Sequence, residues 1–191
     1  MTAKDVYDLG FKGLDTAGIQ DLLVMLRAAN SGALEDVQNT NGCAYYLWSS
    51  NLMKSLQPKQ IIELGGAMGV WDLCVLRTLN KENKLYSVTL AENGLEFSYM
   101  VDRYENFVPS VGDDLDVTVW PKDLDLHKTD FWFFDSLHTE KQLRAELKLY
   151  TPFFKKGAII LFDDIHMDEL WPIWEELPYD KFNATDPLHW S

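Results

Sequence analysis

From residue 60 onward, short runs rich in apolar residues alternate with stretches in which apolar positions recur every three or four residues. QIIEL at 60–64 precedes WDLCVLRTL at 71–79, KLYSV at 84–88 precedes the segment 92–105, and DFWFFD at 130–135 precedes Leu143, Leu147 and Tyr150. Unbroken apolar runs suit strands covered on both faces, whereas the three-to-four repeat buries one face of a helix. Thr139 and Gln142 form a T-x-x-Q capping box at the start of the third helix. KKGAIILFDD at 155–164 then reads as a final buried strand leaving Gly157. Two runs compete for the remaining strand, FVPSV at 107–111 and LDVTV at 115–119, and the first is favoured. This alternation predicts an α/β fold: a doubly wound, Rossmann-like, mostly parallel sheet.

The first third of the chain carries a different pattern. Ile19, Leu22, Leu23 and Leu26 recur at helical spacing, and a second helix is expected over 42–56, ending before Pro58. No repeat, low-complexity tract or linker divides the chain, so a single domain 1–191 is expected, with an N-terminal helical segment 1–57 and a core 58–191.

Composition narrows the partners. The 191 residues are 47% hydrophobic and 25% charged, an ordinary globular balance, but the net charge is −13. Such a charge repels phosphate backbones and anionic headgroups, which argues against nucleic acid and membranes. There is no basic stretch followed by an apolar run at the N-terminus and no window of about 18 apolar residues, so the expected location is the cytoplasm. Cys43 and Cys74 lack metal-ligand spacing and read as buried, reduced thiols.

In an open parallel sheet the residues just past each strand meet the ligand. The first such segment is IIELGGAMGV at 61–70: Glu63 closes the strand, and Gly65, Gly66 and Gly69 allow a tight turn and close backbone approach. A carboxylate there repels a pyrophosphate and suits an ammonium. The pattern E-x-G-x-x-x-G after the first strand resembles motif I of class I S-adenosylmethionine-dependent methyltransferases. The resemblance implies that Glu63, Gly65, Gly66 and Gly69 lie near the methionine part of the cofactor. That family usually ends its second strand on an acid that bonds the ribose; here LYSVTLAE places Thr89 near that position and Glu92 three residues on. VGDDLD at 111–116 resembles the segment beside the adenine, pointing to Asp113 or Asp114.

The two remaining strand ends are acidic. FFDSLH places Asp135 at the end of one strand and His138 three residues later, and LFDDIH places Asp163 and Asp164 at the end of the next. Parallel neighbours lie about 4.8 Å apart, so three carboxylates crowd one edge and call for a cation or raised pKa values. Oxygen ligands with open positions suit Mg²⁺ or Mn²⁺. Asp135 with Asp163 and Asp164 resembles the metal site of divalent-cation-dependent O-methyltransferases, and that resemblance implies His138 as the base that takes the acceptor's proton.

Tyr45, Tyr46, Trp48, Trp171 and Trp174 fit either an acceptor pocket or the core, and His127, His166 and His189 stand in no independent motif. Class I methyltransferases finish with two further strands, the last antiparallel, whereas KFNATDPLHWS leaves room for about one. A chain lacking that strand is expected to lean on a second copy in a homo-oligomer, to be unstable, or to have lost turnover. The leading expectation is metal-assisted methyl transfer from S-adenosylmethionine to a small hydroxylated acceptor. Its rivals are a nonturnover S-adenosylmethionine-binding module and a metal-dependent hydrolase using the same carboxylates.

Overall fold

A computed structural model describes residues 1–12, 42–67, 69–90, 94–167 and 169–183. The helix expected around Ile19–Leu26, Glu92 and the last eight residues lie outside that set, as does the Cys43 side chain. Five parallel strands form one sheet: β1 Gln60–Leu64, β2 Lys84–Thr89, β3 Phe107–Val111, β4 Phe131–Phe134 and β5 Ile159–Phe162. Their order is β3-β2-β1-β4-β5, which confirms the doubly wound α/β expectation. No antiparallel strand occurs among the described residues. The third strand is FVPSV, and its Pro109 is tolerated because β3 lies at the sheet edge and needs hydrogen bonds on one side only. The rival segment instead holds a short 3-10 turn at Val117–Val119.

Six α-helices are described: α1 Ala3–Phe11, α2 Gly42–Leu56, α3 Val70–Leu76, α4 Gly94–Arg103, α5 Glu140–Tyr150 and α6 Trp171–Glu176. Alternate strand residues split between two cores. Ile61, Leu85, Phe131 and Phe133 pack against α1 to α4, while Ile62, Leu64, Trp132 and Phe134 pack against α5 and α6. Consecutive apolar residues are therefore needed in β1 and β4, which lie in the middle of the sheet.

α1 was not anticipated by apolar spacing. Its signal is a capping box, in which Thr2 accepts from the Asp5 amide while the Asp5 side chain accepts from the Thr2 amide. The box expected at α5 is only half formed. Thr139 accepts from the Gln142 amide, but the Gln142 side chain turns away to Asp114 and Glu146. β5 is half-buried throughout rather than buried. It has no outer neighbour among the described residues, and its side chains line a cavity of about 620 Å³ with α1 and the segment from Trp174 to Phe182.

Trp48 belongs to the core, where its indole N–H donates to the Tyr7 carbonyl, and Cys74 is a buried thiol. Trp174 packs on Phe162, and Trp171 stacks on His166.

Candidate active site

Strand order reverses between β1 and β4, so the segments leaving these strands part company and open a crevice at the carboxyl edge. Register sets what meets there. Leu64 pairs with Phe134 and Phe134 with Phe162, and the next hydrogen bonds run from the Asp135 amide to Leu64 and from the Asp163 amide to Phe134. Asp135 and Asp163 therefore stand side by side, one residue past their strands.

His138 folds back over them. Its Nε2 lies 3.1 Å from Asp135 Oδ1 and its Nδ1 3.2 Å from Asp164 Oδ2. Single ligand atoms of Asp135, His138 and Asp163 come within 4.8 Å of one another. Asp164 is not in that group. It has a left-handed backbone, with φ of 49°, and an exposed side chain that reaches the far side of the imidazole. The trio expected from sequence was Asp135, Asp163 and Asp164; the tight group contains His138 where Asp164 was expected.

The electrostatics follow from the crowding. Burial, with Asp135 and Asp164 close by, pushes the Asp163 carboxyl up to about 7. Burial raises Asp135 as well, although its hydrogen bond to His138 opposes the shift. That same bond raises the His138 imidazole above its usual value, against its own partial burial. Two carboxylates and an imidazole that gather in this way have the donor chemistry of a divalent cation site, so the residues present fit one.

The Tyr45 hydroxyl is buried without a hydrogen-bond partner, and Asp163 and Asp135 are its strongest charged neighbours. Of the five aromatic candidates, Tyr45 is the one that meets the acidic edge with an unpaired polar atom.

The glycine turn packs against this edge. Gly65 has φ of 94°, and a β-carbon on it would run into the carbonyl of Asp135. At Gly69, with φ of 74°, a β-carbon would meet Met100 and Phe97. The two glycines are thus required by neighbouring backbone and by α4, before any ligand enters. The amides of Gly65 and Gly66 both donate to the Val88 carbonyl, so they brace the turn instead of serving as free donors.

Glu63 lies beneath the turn. It is directly opposite Ser87 in the β1–β2 register, accepts from the Ser87 hydroxyl at 2.6 Å, and shares this space with Asp72 of α3, 3.2 Å from the same hydroxyl. All three are buried, and a β-carbon on Gly66 would strike the Ser87 hydroxyl. Burial, reinforced by the Asp72 charge, raises Glu63 well above an ordinary carboxyl, and burial lifts Asp72 to about 6. Burial thus favours the neutral form of Glu63 over the carboxylate.

Thr89 is buried, with its carbonyl accepting from Gly112. Asp113 is exposed and closes its own turn by accepting from the Leu115 amide. Asp114 turns inward, where it accepts from Gln142 at 2.7 Å. Glu146, fully buried on α5, escaped notice in the sequence. Its signal was a carboxylate in the apolar stripe formed by Leu143, Leu147 and Tyr150.

An open α/β sheet with a glycine turn, an acidic edge and an imidazole at its switch point is a Rossmann-like architecture with its polar residues gathered where such sheets meet their ligands. A family model described as "Methyltransferase domain" matches residues 62–165. The chain belongs to this methyltransferase family, which agrees with the motif I resemblance. No curated protein matches the sequence.

Solved structures share the fold at low identity. An O-methyltransferase from Klebsiella pneumoniae described as putative is 14% identical, covering 98% of this chain and 80% of that one, at a TM-score of 0.60. The Bacillus cereus O-methyltransferase, solved in complex with SAH, is 18% identical, covering 94% and 79%, at 0.57. The O-methyltransferase TomG from Streptomyces achromogenes, involved in tomaymycin synthesis and solved with SAM, is 17% identical, covering 61% and 53%, at 0.52. The chain thus spans about half the length of TomG. No helix among the described residues is long and apolar enough to cross a membrane.

Proposed function

We propose that this protein transfers a methyl group from S-adenosylmethionine to the hydroxyl of a small acceptor, with a divalent cation, Mg²⁺ or Mn²⁺, held by Asp135 and Asp163. The observation that carries the reading is the strand register that sets those two carboxylates side by side, with His138 Nε2 3.1 Å from one of them. The acidic edge also suits a cofactor whose reactive sulfur is positively charged, and the neighbours solved with SAM or SAH share this fold.

The chain's own groups divide the work. The turn 65–69 forms the floor beneath the cofactor, with Glu63, Ser87 and Asp72 packed below it. His138 takes the acceptor's hydroxyl proton on a ring nitrogen, and the acceptor oxygen forms a new C–O bond as the C–S bond breaks, its electron pair passing to sulfur. A bound cation supplies acidification of the acceptor hydroxyl and screening of the carboxylates. Asp135 and Asp164 now occupy both imidazole nitrogens, so one of these contacts opens before the ring accepts a proton. Holding both reactants in line contributes up to roughly 7–11 kcal/mol toward the barrier.

The test is calorimetry with S-adenosylmethionine, with and without Mn²⁺, followed by methyl-release assays on mixed catechols and sugar hydroxyls. Binding plus metal-dependent release supports the reading. Binding without release on any acceptor favours the nonturnover module, and absence of binding overturns both.

A further inference from the structure

Just past the end of β4, Asp135 and Ser136 turn to different neighbours. Asp135 joins the acidic edge, while the Ser136 hydroxyl turns toward α5 and donates to Glu146 Oε1. Gln142, one turn earlier on α5, donates to the same oxygen at 2.9 Å and to Asp114 Oδ1 at 2.7 Å. The Asp114 carbonyl accepts from the Tyr150 hydroxyl, which accepts in turn from Trp120 Nε1 at 3.1 Å. Glu146 thus stands at a buried junction whose two arms end on the turn 135–138 and on the loop 112–116. Those are the segments that carry the proposed base and the proposed adenine-side residues.

We infer that Glu146 is a positioning residue: through Ser136 and through Gln142 with Asp114 it holds the two halves of the site at one spacing. The inference rests on the proposed function for the meaning of those halves. Its mechanical content stands on the hydrogen bonds alone. A fully buried carboxyl on a helix otherwise packed through Leu143, Leu147 and Tyr150 is costly unless it is hydrogen-bonded, and here Ser136 and Gln142 both donate to Oε1. Burial raises Glu146 to about 7, and burial raises Asp114 too.

The test compares Glu146→Leu, which removes every polar contact at similar volume, with Glu146→Gln, which keeps an acceptor for Ser136 and a donor for Asp114. Amide hydrogen exchange followed by mass spectrometry needs no ligand. In Glu146→Leu, exchange in 112–116 and 135–139 should quicken together by roughly tenfold while β1 keeps its protection, and Glu146→Gln should restore both. Affinity for S-adenosylhomocysteine and the rate of methyl release, measured on the folded variants, should fall roughly 10–100-fold in Glu146→Leu and stay near the parent in Glu146→Gln. A merely structural role predicts a lower melting temperature with both segments exchanging as in the parent, and that result overturns the inference, as does a Gln variant no better than Leu. If Glu146→Leu does not fold, Ser136→Ala replaces it and should loosen 135–139 alone. If the parent fails to bind the cofactor product, the proposed function falls and the exchange result still decides the role of Glu146.

Discussion

Gly65 and Asp135 are in backbone contact across the switch point: the glycine's missing side chain is the space that the Asp135 carbonyl occupies. The turn under the proposed cofactor and the turn bearing the proposed base are therefore packed as one body. Asp135 also donates its amide to Leu64, the residue just before Gly65, which closes the same junction from the strand side.

Gly65→Ala should destabilise the protein by about 3 kcal/mol, from a positive φ that L residues avoid and from collision with backbone that has nowhere to move. Gly157 provides the control. Its φ is 85°, but a β-carbon there meets nothing within 4 Å, so Gly157→Ala should lose only about 1 kcal/mol. Urea denaturation of both variants gives the comparison, and equal losses would remove the close-approach argument.

The buried group beneath the turn makes a second forecast. Asp72 keeps one oxygen buried without a partner, and its folded pKa of about 6 lies above its unfolded value. A carboxyl raised on folding binds more protons in the native state, so its cost is absent below the unfolded pKa, grows through about pH 4 to 6, and is constant above. Asp72→Asn should therefore raise the urea midpoint at pH 7, with the gain shrinking toward pH 4. Ser87→Ala should do the opposite and lose about 1–3 kcal/mol, because it leaves Glu63 and Asp72 without their hydroxyl donor. A parent midpoint above that of Asp72→Asn at pH 7 would contradict the account.

The compact side-chain group and the strand ends give different sets for the proposed metal site, and titration with Mn²⁺ separates them. Asp135→Asn and Asp163→Asn should each weaken binding roughly 10–100-fold, whereas Asp164→Asn should change it little, since Asp164 lies outside the tight group. Three equal losses would restore the ligand set expected from the strand ends.

How far the sequence could be read follows from which signals are local. β4 and β5 were legible as unbroken apolar runs and β1 and β2 as mostly apolar ones, while β3 was favoured over a rival segment; the ends of β4 and β5 pointed to Asp135, His138, Asp163 and Asp164 without any knowledge of packing. What lay hidden depends on register and on contacts distant along the chain. That Glu63 faces Ser87 in a buried pocket is a fact about pairing between β1 and β2. That Asp114 turns from the ligand side toward Gln142 depends on a contact 28 residues away, and Glu146 looked like one more charged residue on a surface helix. The half-buried state of β5 goes with its having no outer neighbour among the described residues, which no pattern within the strand reports.

His138 returns the question to the imidazole held between two carboxylates. Its pKa is raised chiefly by the hydrogen bond to Asp135, so in metal-free protein the ring stays protonated above its ordinary pH range. Such a group stabilises the fold fully below its unfolded pKa and loses that stabilisation as pH rises through the folded value. Asp163, raised to about 7, acts in the same direction, since its destabilisation develops between its unfolded pKa and about 7. Melting temperature in chelator should therefore fall steadily from about pH 5 to pH 8. Mn²⁺ should flatten that fall by taking the place of the protons on Asp135 and Asp163 and of the charge on the ring. The proposed base role needs the neutral imidazole, so methyl release should rise with pH through a value above about 6.5, and saturating Mn²⁺ should shift that rise to lower pH. His138→Ala should lower methyl release by roughly 10²–10⁴-fold, as expected for loss of a positioned base, with cofactor affinity unchanged. Rate against pH for the parent and His138→Ala on one acceptor decides the matter: profiles of equal height and shape would mean that His138 only braces Asp135 and Asp164.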